Sequence, residues 1–151
     1  MTRPHPPSRG VDARQLVVVL GDQLSVDIAA LKACRPENAI VLMAEVAEET
    51  RYAWHHKKKI AFVLSAMRHF AARLREHGWQ VDYVELEDAG NTGTFAGEIE
   101  RALKRHSLHR VVVTQPGEWR VLAALKEWSR SRKADLEILE DDRFACSTAA
   151  F

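Results

Sequence analysis

From Leu16 onward, short apolar runs alternate with longer segments of helical periodicity. This alternation is typical of a parallel β-sheet that is covered by helices on both faces. The run from Leu16 to Leu20 has no polar face and is too short for a helix, so it predicts a strand buried on both sides. The third run alternates apolar and polar side chains, which indicates a half-covered edge strand. Five strands are predicted in all, at residues 16–20, 39–45, 81–86, 110–114 and 136–139.

The clearest helix is predicted from Lys57 to His77, with Gly78 as its C-terminal stop. Its apolar positions recur at intervals of three and four residues, as one buried helix face requires. They are Ile60, Val63, Leu64, Met67, Phe70, Ala71 and Leu74. Further helices are predicted from a Thr94 cap to about residue 106, from near Gly117 onward, and over residues 25–32.

These elements predict an α/β fold with a Rossmann-like, doubly wound, five-stranded parallel sheet in the order 3-2-1-4-5. Crossovers between parallel strands are right-handed, which places the first strand at the centre. Ligands of such sheets bind beyond the carboxyl ends of the strands, where the winding reverses. The loops after Leu20, Glu45 and Thr114 are therefore the expected ligand-binding region.

Length and composition limit the classes of protein that the chain could represent. Its 151 residues suffice for one ordinary domain, predicted at 16–140, after a flexible leader at 1–15 and before a linker beginning at 141. A formal charge of +1 provides no strong field for a polyanion, which argues against a dedicated nucleic-acid module. No apolar run approaches the roughly 20 residues of a membrane span, and no secretory signal precedes the first strand. The two cysteines, Cys34 and Cys146, lack metal-site or disulfide spacing, so we expect a cytoplasmic protein.

The loop after the first strand, from Gly21 to Ser25, offers hydrogen-bonding groups at the expected ligand site. Asp22 and Gln23 could orient a polar ring or a hydroxylated chain. Neither G-x-G-x-x-G nor the P-loop pattern occurs, so dinucleotide and triphosphate sites lose their usual support. The alternative is structural: Gly21 relieves a tight turn and Asp22 caps the next helix.

The other two loops carry acidic and aromatic candidates. Glu45, Glu48 and Glu49 precede Tyr52 and Trp54, a combination that suits a flat heteroaromatic ligand as well as it suits a solvated loop. The neighbouring histidines, at 55 and 56, lack the spacing of a metal site.

After the fourth strand, Glu118 and Arg120 are candidate ligand contacts, and ordinary helix initiation explains them equally well. The basic helix at 57–77 forms a local positive face that is either solvated or held for an acidic partner.

Three separated motifs resemble one protein family. They are the run from Gly21 to Ser25, the segment from His55 through Ile60 to Phe70, and the run from Pro116 to Arg120. Together they are similar to the photolyase-related, iron–sulfur-containing bacterial branch of the cryptochromes and photolyases. The resemblance covers essentially Leu16 to Phe151.

The resemblance implies that only the amino-terminal antenna domain of such a protein is present. Its relatives continue into a helical domain that holds FAD, a 4Fe-4S cluster and the surface for damaged DNA. The cluster cysteines do not map onto Cys34 or Cys146, so no metal site is expected in this chain. FAD, the cluster and DNA would be reached only through that further domain of the same polypeptide, and no membrane partner is implied.

The resemblance also implies an antenna pigment, 6,7-dimethyl-8-ribityllumazine, near the loops that follow the first two strands. Asp22 and Glu49 are the strongest predicted contacts; the weaker ones are Gly21, Gln23, Glu45 and Tyr52.

The parent protein would pass light energy from lumazine to reduced FAD and repair pyrimidine (6-4) photoproducts, or act as a cryptochrome photoreceptor. This chain alone would not be catalytic. A stand-alone Rossmann-like nucleotide-binding or docking module is the alternative.

Overall fold

A five-stranded parallel sheet organises the protein, which we describe from a computed structural model for residues 14–51 and 56–144. The strand order is β3-β2-β1-β4-β5, and every neighbouring pair is parallel. This order confirms the fold predicted from the sequence. The strands are β1 (Gln15–Val18), β2 (Ala39–Ala44), β3 (Gln80–Val84), β4 (Arg110–Thr114) and β5 (Asp135–Leu139).

Five α-helices accompany the strands within the described residues, and local chemistry explains where the longer ones begin and end. The Thr94 hydroxyl accepts a hydrogen bond from the Gly97 amide, which caps the fourth helix. The third helix ends at its C-cap, His77, and is followed by Gly78 at φ +86°, a conformation that glycine adopts without strain. The helices are α1 (Ala29–Lys32), α2 (Ala47–Arg51), α3 (Lys57–Glu76), α4 (Phe95–His106) and α5 (Trp119–Arg132).

Two apolar clusters fill the space on the two faces of the sheet. Alternate residues of β1 point to opposite faces, so Leu16 and Val18 belong to one cluster while Val17 belongs to the other. The first cluster packs against α4 and α5, and the second against α1 and α3. All six β2 residues are buried, as expected for a strand covered on both faces.

The chain departs from the predicted elements near two strand ends. The helix predicted over 25–32 is reduced to Ala29–Lys32 because the Ser25 hydroxyl accepts a bond from the Asp27 amide and Ile28 is extended. Helix α2 was not predicted, and neither was a 3₁₀ turn at Pro36–Asn38. The first, third and fifth strands each begin one residue earlier than predicted, and the first three end one or two residues earlier. Most of the predicted leader lies outside the described residues.

Candidate ligand-binding site

A cavity of about 320 Å³ opens at the carboxyl edge of the sheet, where the loops after β1, β2 and β4 meet. Its volume is at the small end of the roughly 300–1,000 Å³ range of small-molecule sites. Side chains of α3 form one apolar wall, and the opposite side is formed by Phe95, Pro116 and Val121. The α3 residues are Ile60, Val63, Leu64 and Met67, and the remaining apolar lining comes from Leu20, Ala44 and Val46.

Four acidic residues in the described part of the chain line this cavity: Glu45, which is described below, and three others from different segments. Asp22 follows β1, Glu49 lies on α2, and Glu118 is the N-cap residue of α5. Asp22 lies against the β4–α5 loop, since a Cβ built on Gly117 would be 3.3 Å from its Oδ2 atom. The structure thus places Asp22 and Glu49, the two strongest predicted contacts, at one cavity.

Burial and mutual repulsion make two of these carboxylates harder to ionise than usual. The pKa of Glu49 is raised, first by burial and then by the negative charge of Glu118, although Arg120 opposes the shift. The pKa of Asp22 is also raised, mainly by partial burial of its carboxyl and further by Glu118. Both carboxylates therefore bind a proton more readily than a solvent-exposed carboxylate does.

Short helix α2 is attached to both helices on its side of the sheet. The Glu48 carboxylate accepts a 2.7 Å hydrogen bond from the Phe95 amide at the start of α4. On α5, Arg120 Nη2 donates to Glu49 Oε1 at 3.2 Å and to Glu118 Oε2 at 3.1 Å. These contacts orient Glu49 towards the cavity from a helix of only five residues.

Glu45 has a different environment from the other acidic residues at this edge. Its fully buried carboxylate accepts two bonds from Arg68, at 2.7 and 3.0 Å, one from the Tyr83 hydroxyl at 2.6 Å and one from the Leu86 amide at 2.9 Å. Burial alone would raise the pKa of Glu45, but these donors outweigh it and lower the pKa. The carboxylate joins α3 to the end of β3, so its partners are protein groups even though the residue borders the cavity.

The weaker predicted contacts occupy varied positions. Gly21 lines the cavity, and a Cβ there would be 3.3 Å from Met67 Sδ, so α3 packs closely over this turn. Gln23 is buried, and its Nε2 donates to the carbonyl oxygens of Thr114 and Gln115, which ties the β1 loop to β4. Gln23 is not among the cavity-lining residues. Tyr52 lies outside the described residues.

Sequence reasoning missed several residues that shape the site. Lys59 and Met67 line the cavity, and Arg68 secures α3 through Glu45. All three lie in the predicted helix, where periodicity identified Met67 as apolar core and gave no signal that this face borders a cavity. The available signal was topological, because α3 begins at the carboxyl edge of the sheet.

Metal ligation and membrane insertion have no structural support within residues 14–51 and 56–144. No group of three or more His, Cys, Asp or Glu residues is arranged to hold a metal ion there. His56 caps α3 by accepting a bond from the Lys58 amide, while His55 lies outside the described range. In this part of the chain, none of the helices has the length and apolar character that crossing a bilayer requires.

The fold and the cavity define the class: a doubly wound α/β domain with an acidic, apolar-walled ligand cavity at its switch point. Comparison with known proteins specifies the family. The family model for deoxyribodipyrimidine photo-lyase-related proteins matches residues 17–151, and the chain belongs to this family. The chain is also 44% identical over 137 residues to the (6-4) photolyase of Agrobacterium fabrum (strain C58). That alignment covers 91% of this chain and 27% of the relative, so the chain spans about a quarter of the relative's length.

Proposed function

We propose that this chain is the antenna domain of a photolyase-related protein and that its cavity binds 6,7-dimethyl-8-ribityllumazine. The observation that carries the proposal is the meeting of Asp22 and Glu49 at one apolar-walled cavity. These two residues come from separate segments of the chain and face a space suited to a small heterocycle. The family membership supports the same assignment.

The chemistry of the lining fits such a ligand. Carboxylates accept hydrogen bonds from ring N–H groups and from the hydroxyls of a ribityl chain. The apolar walls contributed by α3 and by Phe95 remove the ring faces from water. Gly21 allows Met67 of α3 to pack closely over the end of β1, which shapes this side of the cavity. The protein thereby orients the pigment and shields it from solvent, while light absorption is the chemistry that the pigment supplies.

Titration of the purified chain with the lumazine tests this proposal. We expect a shifted near-visible absorption band and altered fluorescence on binding. The substitutions Asp22→Asn and Glu49→Gln keep side-chain size but weaken hydrogen-bond acceptance, and each should lower affinity by about tenfold, equivalent to roughly 1.4 kcal/mol.

Matched controls are exposed acids that lie outside the cavity lining. Asp27→Asn removes an exposed acid from the loop after β1, and Glu37→Gln removes one from the 3₁₀ turn; neither residue lines the cavity. Both should bind the pigment as the unchanged chain does. Unaltered spectra at high protein concentration, or equal losses in controls and site variants, would contradict the assignment. Binding of a nucleotide in place of the lumazine would instead favour a stand-alone nucleotide-binding module.

The whole protein, by this proposal, repairs (6-4) photoproducts in DNA or serves as a cryptochrome photoreceptor in the cytoplasm. The relative that is 44% identical is itself described as a (6-4) photolyase, which supports the repair role. Reduced FAD, a 4Fe-4S cluster and the contacts to damaged DNA would belong to a region beyond this chain, because two cysteines are too few for the cluster. This chain by itself would then capture light without catalysing repair.

The coding sequence downstream of Phe151 tests the placement of these groups. A continuous reading frame that encodes a helical region with four spaced cysteines would support it. A stop codon at that point, together with lumazine binding by the chain, would leave the antenna role intact and refute the proposed parent.

A further inference from the structure

The net formal charge of the residues around the cavity is negative, and this charge affects which ligands the cavity can bind. Besides Glu45, whose charge Arg68 balances, three acids line the cavity: Asp22, Glu49 and Glu118. Lys59 is the one cationic residue in the described part of the lining. Arg120 lies just behind the acids and already donates to two of them. Three acids against two bases leave this group of five residues with a formal charge of −1.

Glu118 lies at a helix N-terminus beyond a strand end, which is a position where doubly wound α/β proteins commonly bind phosphate. In doubly wound α/β proteins, the amides and the dipole at a helix N-terminus beyond a strand end favour an anion. Here the N-cap residue of α5 is itself an acid, which makes no side-chain bond to the amides of its own helix and is held by Arg120. The chain thus contributes its own negative charge at this end of the cavity.

The negative charge of Glu118 affects the pKa values of both predicted ligand contacts, Asp22 and Glu49. Its charge disfavours ionisation of Asp22 and of Glu49, which shows that all three carboxylates share one electrostatic environment. A phosphate placed beside these carboxylates would meet the same repulsion, because its charge is of the same sign. An uncharged hydroxyl group would meet none.

Building on the proposed function, we infer that Glu118 is a specificity-determining residue that restricts the cavity to uncharged ring-and-polyol ligands and excludes their phosphate esters. The positive charge of Lys59 in the lining opposes this selection, because it would attract a phosphate. The ligand class is therefore an unphosphorylated heterocycle whose hydroxyls donate to carboxylates.

A ligand pair that differs only in charge tests the inference. The purified chain is titrated with 6,7-dimethyl-8-ribityllumazine and with its 5′-phosphate ester, and the ratio of the two dissociation constants is measured. We expect the unchanged chain to prefer the uncharged lumazine by about tenfold or more at low ionic strength, and added salt should reduce this preference. Glu118→Gln should reduce the ratio by about threefold or more. Glu127→Gln removes an exposed acid from the same helix, outside the cavity, and should leave the ratio unchanged.

The ratio of the two dissociation constants distinguishes a failure of this inference from a failure of the proposed function. Partial unfolding of a variant weakens both ligands alike and leaves the ratio unaltered. Equal or tighter binding of the phosphate ester by the unchanged chain would overturn the inference and leave the pigment assignment standing. A ratio that falls equally in Glu118→Gln and Glu127→Gln would also overturn it. If neither ligand binds, the proposed function fails first.

Discussion

Acidic side chains at the same edge of the sheet have opposite electrostatic environments. Glu45 is fully buried, receives four hydrogen bonds and has a lowered pKa. Asp22 and Glu49 line the cavity, and both have raised pKa values. Proximity to a cavity therefore does not by itself identify a ligand contact.

The difference lies in what each carboxylate has as a partner. Four protein donors match the capacity of the Glu45 carboxylate, so a ligand could bond to it only by displacing one of them. A backbone hydrogen bond and the charge of Arg143 offset only part of the effect of burial on Asp22, and Glu49 shares Arg120 with Glu118. An incompletely satisfied carboxylate at a concave surface is a better candidate for ligand recognition than a satisfied one.

Removing the Glu45 carboxylate should have the largest effect on stability. In Glu45→Ala, Arg68, Tyr83 and the Leu86 amide lose their common acceptor, and we expect the free energy of unfolding to fall by about 1–3 kcal/mol. Urea unfolding measures this change. Glu85→Ala is the control, since Glu85 is exposed and its oxygen lies 3.7 Å from the Arg68 guanidinium, and it should cost less than about 1 kcal/mol. Similar losses in both variants would show that Glu45 does not join α3 to β3 as described.

The acid sensitivity of unfolding should reflect the same carboxylate. Because the folded-state pKa of Glu45 is lowered, its stabilising contribution is present above the ordinary carboxyl pKa and is lost as the pH falls through the folded value. Glu45→Gln removes this titration, so its free energy of unfolding should depend less steeply on pH below about 4.5. Denaturant unfolding at a series of pH values provides the measurement. An unchanged slope would contradict the lowered pKa.

Neutralising Asp22 should have the smallest effect, and in the opposite direction. Its raised folded-state pKa means that ionisation costs stability as the pH rises through the carboxyl range, so Asp22→Asn should stabilise the fold slightly at pH 7. The advantage should disappear in acid, where both states are protonated. Thermal unfolding at the two pH values detects it, with Asp27→Asn as the reference. A clear loss of stability at pH 7 would mean that the Asp22 charge is required by the fold.

Sequence patterns that are local to individual segments predicted much of the fold. The valine-rich run of β4 gave its bounds to the residue, and the periodicity of α3 gave its first residue. The five residues of α2 are too few to create a periodic signal. The Ser25–Asp27 contact replaced the first turns of a predicted helix, because local side-chain bonds compete with helix formation.

The site was predictable in position and less so in detail. Strand order located the loops that meet at the cavity, since the switch point follows from topology. The partners of Glu45, by contrast, lie 23 to 41 residues away in sequence, and no local pattern indicates that Arg68, Tyr83 and Leu86 converge on it. Gln23 likewise bonds to carbonyls of β4 and its following loop, 91 and 92 residues distant.

The five-residue length of α2 has a kinetic consequence. A helix so short is unstable in isolation. Its contacts with Phe95 and Arg120, the partners of Glu48 and Glu49, must therefore stabilise it. Its amides should exchange with deuterium sooner than those of β1, which is paired on both sides. The mouth of the cavity can then loosen while the sheet beneath it stays folded, so the proposed ligand would have a route of entry that does not require the domain to open.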